Sequence, residues 1–437
     1  MNTVRILNFG PIHEASIDLE MNLQVLIGTQ ASGKSTICKV VYFCQRIRDY
    51  TLDFLMDARQ FTDNHQNEYF NNYLKYLTKQ FMGLFGKTTH MQKFQIEYQF
   101  DGKRITIRLN KDGYIRFAFD PELKNGILNL ISNASDMFLH GFENGKISAL
   151  MDQMTALGMM REQLYSALNR LFRNDMELIY IPAGRSLLAT MSEKLQDFSI
   201  SDMDLAMEEF IRLIRKTRSK FGSKIPDIVK NYTKTVKGQI NNSSVELAYD
   251  LIRKIFKADY TSENEEEKIY YDERHWVKLM YGSSGQQEVL WILMLAFITI
   301  LEGKKSFIVI EEPEAHLFPV AQKDVVNLIS LMVHTAGSKV IITTHSPYIL
   351  TSLNILLYSG KVEGNQRRGV RMVIPKNLRI SLEDFAAYKV EKTQNGGSSM
   401  ESLMDMESHL VRTDYIDEVS SITNRELDHL LDMEMGL

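Results

Sequence analysis

The sequence runs to 437 residues, 44% hydrophobic and 10% aromatic, enough apolar material for one main domain carrying an insertion. Charged residues make up 24% with a formal net charge of -4, which excludes wholesale coating of the chain for nucleic acid, so any nucleic-acid surface must be local. Two cysteines, Cys38 and Cys44, make no CxxC pair and have no histidine at metal spacing, a pattern that fits a reduced, cytoplasmic compartment.

The first ten residues, MNTVRILNFG, lack the basic stretch and long apolar region of a signal peptide. Strand-like alternation follows over residues 4–9, 15–19 and 23–27, with a turn at Gly10-Pro11. The third strand runs into Gly28-Thr29-Gln30-Ala31-Ser32-Gly33-Lys34-Ser35, which satisfies G-x-x-x-x-G-K-[ST] between a strand and a helix, the context that the motif requires. Glycines there let backbone N–H groups turn toward phosphates, and the helix N-terminus already favours negative charge. Lys34 is placed to reach β/γ-phosphates, Ser35 to hold Mg²⁺, and Thr36 to complete the nucleotide-binding set.

Residues 35–50 read as a helix, and 94–119 as strands broken at Asp101-Gly102 and Asp112-Gly113, both good hairpin turns. From 122 to 175 and from 201 to 257 apolar residues recur every three or four positions, which predicts a helical insertion. Between its two parts, residues 178–182 read as a buried strand of the main sheet. The stretch 212–237, from Arg212 to Lys237, holds nine Lys/Arg against one acid, Asp227, densest at Arg215, Lys216, Arg218 and Lys220. It reads either as a phosphate-binding surface or as a solvated helix face. Residues 261–268, acidic and polar, predict an exposed loop.

Gly282-Ser283-Ser284-Gly285-Gln286-Gln287-Glu288 precedes an apolar helix, so its serines and the helix N-terminus offer an anion site or ordinary capping. The uncharged run 289–301 is shorter than the roughly 20 residues that span a bilayer, and no membrane contact is expected. Four apolar strand residues, 307–310, end in Glu311 and Glu312, where open α/β sheets place ligands. Glu311 suits Mg²⁺, directly or through water, and Glu312 suits polarising an attacking water. After a helix over about 321–334, the strand 340–343 leads to His345, placed to contact a γ-phosphate. This βαβ rhythm argues for buried parallel strands. Residues 394–399 (QNGGSS) predict a flexible linker, followed by an acidic amphipathic helix with Ile416, Val419, Ile422, Leu427, Leu430 and Leu431 at helical spacing.

Taken together, these motifs resemble the ABC-type ATPase heads, within the group that holds the SMC and RecF-like proteins and the OLD-family ATPases. The resemblance implies an α/β P-loop NTPase of ABC-ATPase type, with a mixed-sheet lobe and an inserted helical domain, hydrolysing ATP to ADP and phosphate with Mg²⁺. GSSGQQ then corresponds to the signature, with Ser283, Gly285 and Gln286 contacting the nucleotide of a second subunit in an ATP-sandwiched homodimer. His345 becomes the switch histidine, 314–317 the D-loop-like element, and Glu311, Glu312 and Lys34 the hydrolytic set. Asn8-Phe9-Gly10-Pro11-Ile12 also resembles the start of such heads. The implied layout is an ATPase lobe over 1–120, the insertion over 121–270, a second lobe over 271–393 and a tail over 400–437.

Departures are Glu311 where aspartate is usual, as in the EEPE variant of OLD-like ATPases, and Ser284 where transporters have glycine. Tyr180-Ile181-Pro182-Ala183-Gly184-Arg185 resembles an element of stand-alone bacterial ATPases, with Arg185 either a sensor of phosphate or partner or a salt-bridged structural arginine. Val362-Glu363-Gly364 resembles a TOPRIM glutamate motif, but no D-x-D strand end follows. Stand-alone proteins of this layout resemble ATPase subunits of anti-phage defence systems that act on a separate effector protein. The alternative is a RecF/SMC-like DNA-binding repair or recombination ATPase, contacting DNA through 212–237.

Overall fold

Alternating burial along β1 (Thr3–Phe9) and β2 (Ile12–Asp18) gives each one core-facing edge of side chains, whereas all five residues of β3 (Leu23–Ile27) are buried. These opening strands therefore belong to different parts of one sheet. The computed structural model describes residues 2–61, 68–88, 90–91, 93–140, 150–190, 203–235, 241–263, 266–393, 396–405, 407–413 and 425. After β3 come α1 (Lys34–Leu55), α2 (Tyr69–Phe85), β4 (Gln95–Phe100), β5 (Lys103–Leu109), β6 (Ile115–Phe119), α3 (Pro121–His140), α4 (Leu150–Phe172) and β7 (Glu177–Ile181). The middle of the chain forms α5 (Ser186–Thr190), α6 (Leu205–Arg218), α7 (Ile225–Thr235), α8 (Asn242–Phe256), β8 (Asp259–Glu263), β9 (Glu266–Tyr270) and β10 (Trp276–Lys278). The remainder forms α9 (Ser284–Glu302), β11 (Ser306–Glu311), α10 (Pro319–Ala336), β12 (Lys339–Thr344), α11 (Pro347–Val373), β13 (Phe385–Lys392) and β14 (Ser398–Ser402).

Eleven strands make one sheet in the order β6-β5-β4-β1-β2-β14-β13-β3-β12-β11-β7. The run β13-β3-β12-β11-β7 is parallel throughout, and β6-β5-β4-β1-β2 is antiparallel. Successive residues of the parallel strands feed two cores. Ile308, Ile310, Val340 and Ile342 face α8 to α11, while Phe307, Val309 and Ile341 face α1 to α4. That two-sided burial explains why these strands read as continuous apolar runs. Helix α9 is buried on nearly every side and packs against α8 and α10, which also pack on each other. Among the described residues it alone is long and apolar enough to cross a membrane, and 78% of that window is buried in the core.

Several expectations change. Residues 261–263 and 266–268 are paired strands of β8 and β9, not an exposed loop, and Glu267 turns inward to accept from Tyr260 Oη at 2.5 Å beside the buried Arg218. Residues 396–399 belong to a second hairpin rather than a linker: Thr393 N–H donates to Gly397 O at 2.8 Å, and Gly396 and Gly397 take φ of 76 and 89. Residues 400–402, expected in the tail, are strand. Strand β14 pairs antiparallel with β13 and parallel with β2, so it joins the two halves of the sheet. Leu403 and Val411 pack into the core behind it. The helical positions from Ile416 to Leu431 lie outside the described residues. Val362, Glu363 and Gly364 sit in α11, which is no place for a strand-borne nuclease motif. Within the span 121–270, α3 and α4 pack on the α1 face, α6 and α8 on the other, and β7 lies between them as an edge strand of the main sheet.

Candidate nucleotide site

Strand β3 delivers the chain to a loop that has little freedom. A Cβ on Gly28 would lie 2.0 Å from Val390 O, and one on Gly33 would lie 2.3 Å from Ile12 Cδ1. Gly33 has φ 99 and Ala31 φ 58, left-handed turns immediately before the N-terminus of α1. Thr29, Gln30, Ala31 and Ser35 are exposed, Thr36 is half-buried, and Gly28, Ser32 and Lys34 are buried. The Lys34 ammonium donates to Gly28 O at 2.9 Å and Thr29 O at 3.0 Å, so it closes the loop on itself. Burial lowers its pKa, opposed first by Glu312 and then by Glu314. Ser32 Oγ is buried with no hydrogen-bond partner. An orphaned hydroxyl, a helix N-terminus and a cation held by two loop carbonyls fit a polyphosphate.

Next to β3 along the sheet, β12 and β11 end in the other charged residues. Thr344 is opposite Ile27, and Glu311 opposite Thr343. Glu311 is buried; Oε1 accepts from Tyr180 Oη at 2.8 Å and Oε2 from the Ala183 N–H at 3.0 Å. Glu312 has φ 44, and its Oε1 lies 3.2 Å from His345 Nε2. The structure thus brings Glu312 and His345 together. Glu314, read from the sequence only as the start of the D-loop-like element, accepts from Thr344 Oγ1 at 2.7 Å and from the His345 N–H at 2.8 Å, while its Oε2 is buried without a partner. Burial raises its pKa. Among the described residues no cluster of three or more His, Cys, Asp or Glu side chains could hold a metal. Ser35, exposed beside the loop, and Glu311, already doubly bonded, fit a Mg²⁺ that takes its other ligands from phosphates and water.

Ser283, Ser284, Gly285 and Gln286 open α9. Ser283 is the N-cap, accepting from the Gln286 N–H at 3.3 Å, and Gln286 Oε1 accepts from the Ser283 N–H at 3.1 Å. Both serines are exposed. A Cβ on Gly285 would lie 2.8 Å from His316 O, so the D-loop-like turn packs directly on this helix start. Gln287 Nε2 donates to the carbonyls of Leu279, Met280 and Gly282 and fixes the preceding turn.

Arg185, left open by the sequence, is a buried structural ion-pair arginine. Nε donates to Glu288 O at 2.8 Å, Nη1 to Pro182 O and Glu311 O at 2.7 Å each, and Nη2 to Glu312 O at 3.0 Å. Glu288 accepts from the N–H groups of Arg185 and Ser186, and its Oε2 lies 3.4 Å from Arg185 Nε. Glu288 and Tyr180 had no local signal, since their partners lie more than a hundred residues away. Over residues 212–235 the basic side chains do not share one open face. Helix α6 turns Arg218 inward toward Glu267, Lys220 pairs with Glu302, and Arg212 pairs with Glu208. Of the four densest cations, Arg218 is buried and Lys220 is exposed at the surface.

A family model described as AAA ATPase domain matches residues 1–156 and 161–350. No curated protein matches the chain. Among solved structures it is similar to the SMC head domain from Thermotoga maritima, at 11% identity and a TM-score of 0.37, covering 92% of this chain and 97% of that one. It is similar to an SmcHead bound to the C-winged helix domain of ScpA, at 12% identity and 0.42, covering 93% and 97%. A third likeness, at 14% identity and 0.38, covering 96% and 98%, is to the Smc head domain with an extended coiled coil bound to the C-terminal domain of ScpA derived from Pyrococcus furiosus.

Proposed function

The chain belongs to the AAA ATPase domain family and is an enzyme that hydrolyses ATP, and from that premise we propose that it is a switch, closing its nucleotide sites between two copies of itself and acting on a separate effector protein. The observation that carries this reading is the Glu312–His345 pair, 3.2 Å apart at the ends of adjacent parallel strands, with β12 directly beside β3 and its loop. In this reading Lys34 exchanges its loop carbonyls for the β/γ-phosphates, and Ser32 and the first amides of α1 take phosphate oxygens. Glu312 orients the attacking water, and His345 contacts the γ-phosphate. Mg²⁺, held by Ser35 and reached by Glu311 through water, supplies charge neutralisation on the phosphates.

Closure on a second copy is supported by what surrounds the site. Tyr281 before the signature is 71% exposed, Phe318 after the D-loop-like turn 76%, and Tyr348 after His345 52%. Gln322 joins the last two segments, donating to Leu317 O and accepting from Ser346 Oγ. Large apolar side chains left in water around a polar site mark a surface that gains by being covered. A self-complementary dimer would cover it on both copies, bringing Ser283, Gly285 and Gln286 to the partner's nucleotide. The setting proposed is bacterial antiviral defence, supported by the likeness of the element 180–185 to stand-alone bacterial ATPases.

Glu312→Gln tests the reading. It keeps size and hydrogen-bonding reach but removes the charge, so turnover is expected to fall by about 10²–10⁴-fold while ATP still binds. Light scattering then shows dimers accumulating in Mg-ATP, Ser283→Arg blocks them, and Lys34→Ala has no turnover. Glu312→Gln protein that stays monomeric in saturating ATP, or full activity in Ser283→Arg, refutes the shared site.

A further inference from the structure

We propose that Arg185 is a positioning residue for hydrolysis, holding the backbone of Glu312 in its reactive geometry and tying that geometry through Glu288 to the signature helix α9. The inference rests on the reading that Glu312 orients the attacking water. Glu312 has φ 44, a left-handed conformation that a non-glycine residue keeps only when its surroundings fix it. Its N–H donates to Thr343 O at 3.0 Å and its carbonyl accepts from Arg185 Nη2 at 3.0 Å, so the peptide groups on both sides of the residue are bonded. The carbonyl of Glu311 is held by the same guanidinium.

The remaining edge of that guanidinium faces α9. Nε donates to Glu288 O, and the Glu288 carboxylate is bonded to the N–H groups of Arg185 and Ser186. Glu288 lies two residues beyond Gln286, in the first turns of the helix whose cap is Ser283. One rigid, planar, fully buried fork therefore contacts both the helix that presents the signature and the strand end that presents the catalytic carboxylate. A shift of α9 on engaging a partner's nucleotide would pass through Glu288 and Arg185 to the Glu312 carbonyl. Lysine cannot replace the fork, because one ammonium on a flexible stem does not reach acceptors on several sides at once.

The test compares turnover, nucleotide Kd and thermal stability in wild type, Arg185→Lys, Glu288→Gln, the double variant and Glu312→Gln. Expected is a fall in kcat of about 10²-fold for Arg185→Lys and about tenfold for Glu288→Gln, with Kd for a fluorescent ATP analogue within about threefold of wild type. The double variant should fall no further than Arg185→Lys alone, because the two residues act as one unit. Wild-type kcat per nucleotide-binding molecule in both single variants overturns the proposal. Loss of nucleotide binding along with turnover in both also overturns it, since the cluster then serves the fold alone. Normal kcat in Arg185→Lys beside an inactive Glu312→Gln is a failure of this inference only. An active Glu312→Gln overturns the functional reading and this inference together.

Discussion

At the P-loop end of the site the backbone is fixed by lack of room and by conformation: a Cβ on Gly28 would meet the backbone Val390 O, and Gly33 takes φ 99, where any side chain is strained. At the carboxylate end, residues 311–314, it is fixed by donors. Tyr180 and Ala183 hold Glu311, Arg185 holds the carbonyls of 311 and 312, and Thr344 with the His345 N–H holds Glu314. The first arrangement should tolerate no added atom and the second no missing donor. A steric site is also indifferent to pH, whereas one built from buried carboxylates is not.

Adding one carbon to the crowded end is the strongest way to separate the two. Gly28→Ala must push β13 away from β3, and overpacking of this kind costs about 3 kcal/mol. ATP affinity should fall by more than about tenfold and the unfolding midpoint should drop; titration calorimetry and urea unfolding read the two effects. Unchanged affinity would mean that the loop moves freely around Gly28.

Removing one oxygen from the bonded end should matter less. Tyr180→Phe leaves Glu311 Oε1 buried without its donor, a loss of about 2 kcal/mol in urea unfolding. Stability equal to wild type would show that water reaches this oxygen.

The smallest effect is expected from Glu314→Gln. Burial raises the Glu314 carboxyl above its ordinary range, so the folded protein keeps that proton to higher pH than the unfolded chain does. Its contribution is therefore fully present below the ordinary carboxyl range and is lost as pH rises through the raised value. Thermal unfolding of the nucleotide-free protein should weaken across that window, and Glu314→Gln should flatten the decline. An identical slope in the variant would place the titration elsewhere.

The crowded end was legible in the sequence because its cause is local: spacing of Gly28, Gly33 and Lys34 between a strand and a helix suffices. Glu312 and His345 were legible for a similar reason, since each follows an apolar strand and adjacent parallel strands bring their ends together. The donors that hold the carboxylate end were not. Arg185, Glu288 and Tyr180 take their roles from partners 102 to 131 residues away, and no window of sequence contains both. Composition misled at Glu267, where neighbouring acids suggest solvent but Tyr260 and Arg218 draw it inside. It misled again at Gly396-Gly397, where glycine read as slack in fact supplies the positive φ of a tight hairpin.

The hairpin of β13 and β14 also governs when the protein can acquire its site during synthesis. Strand β3, made at the start, has as its two neighbours β12 and β13, made near residues 340 and 390. At about 5–20 residues per second the ribosome needs about 20–70 s to supply the last of these after β3 has emerged. Until β12 is made β3 is an apolar strand with both edges bare, one edge stays bare until β13 follows, and in the meantime Gly28 has no Val390 carbonyl to settle against. A chain of this topology makes an apolar strand long before the strands that cover its edges, which leaves that strand open to chaperones in the meantime.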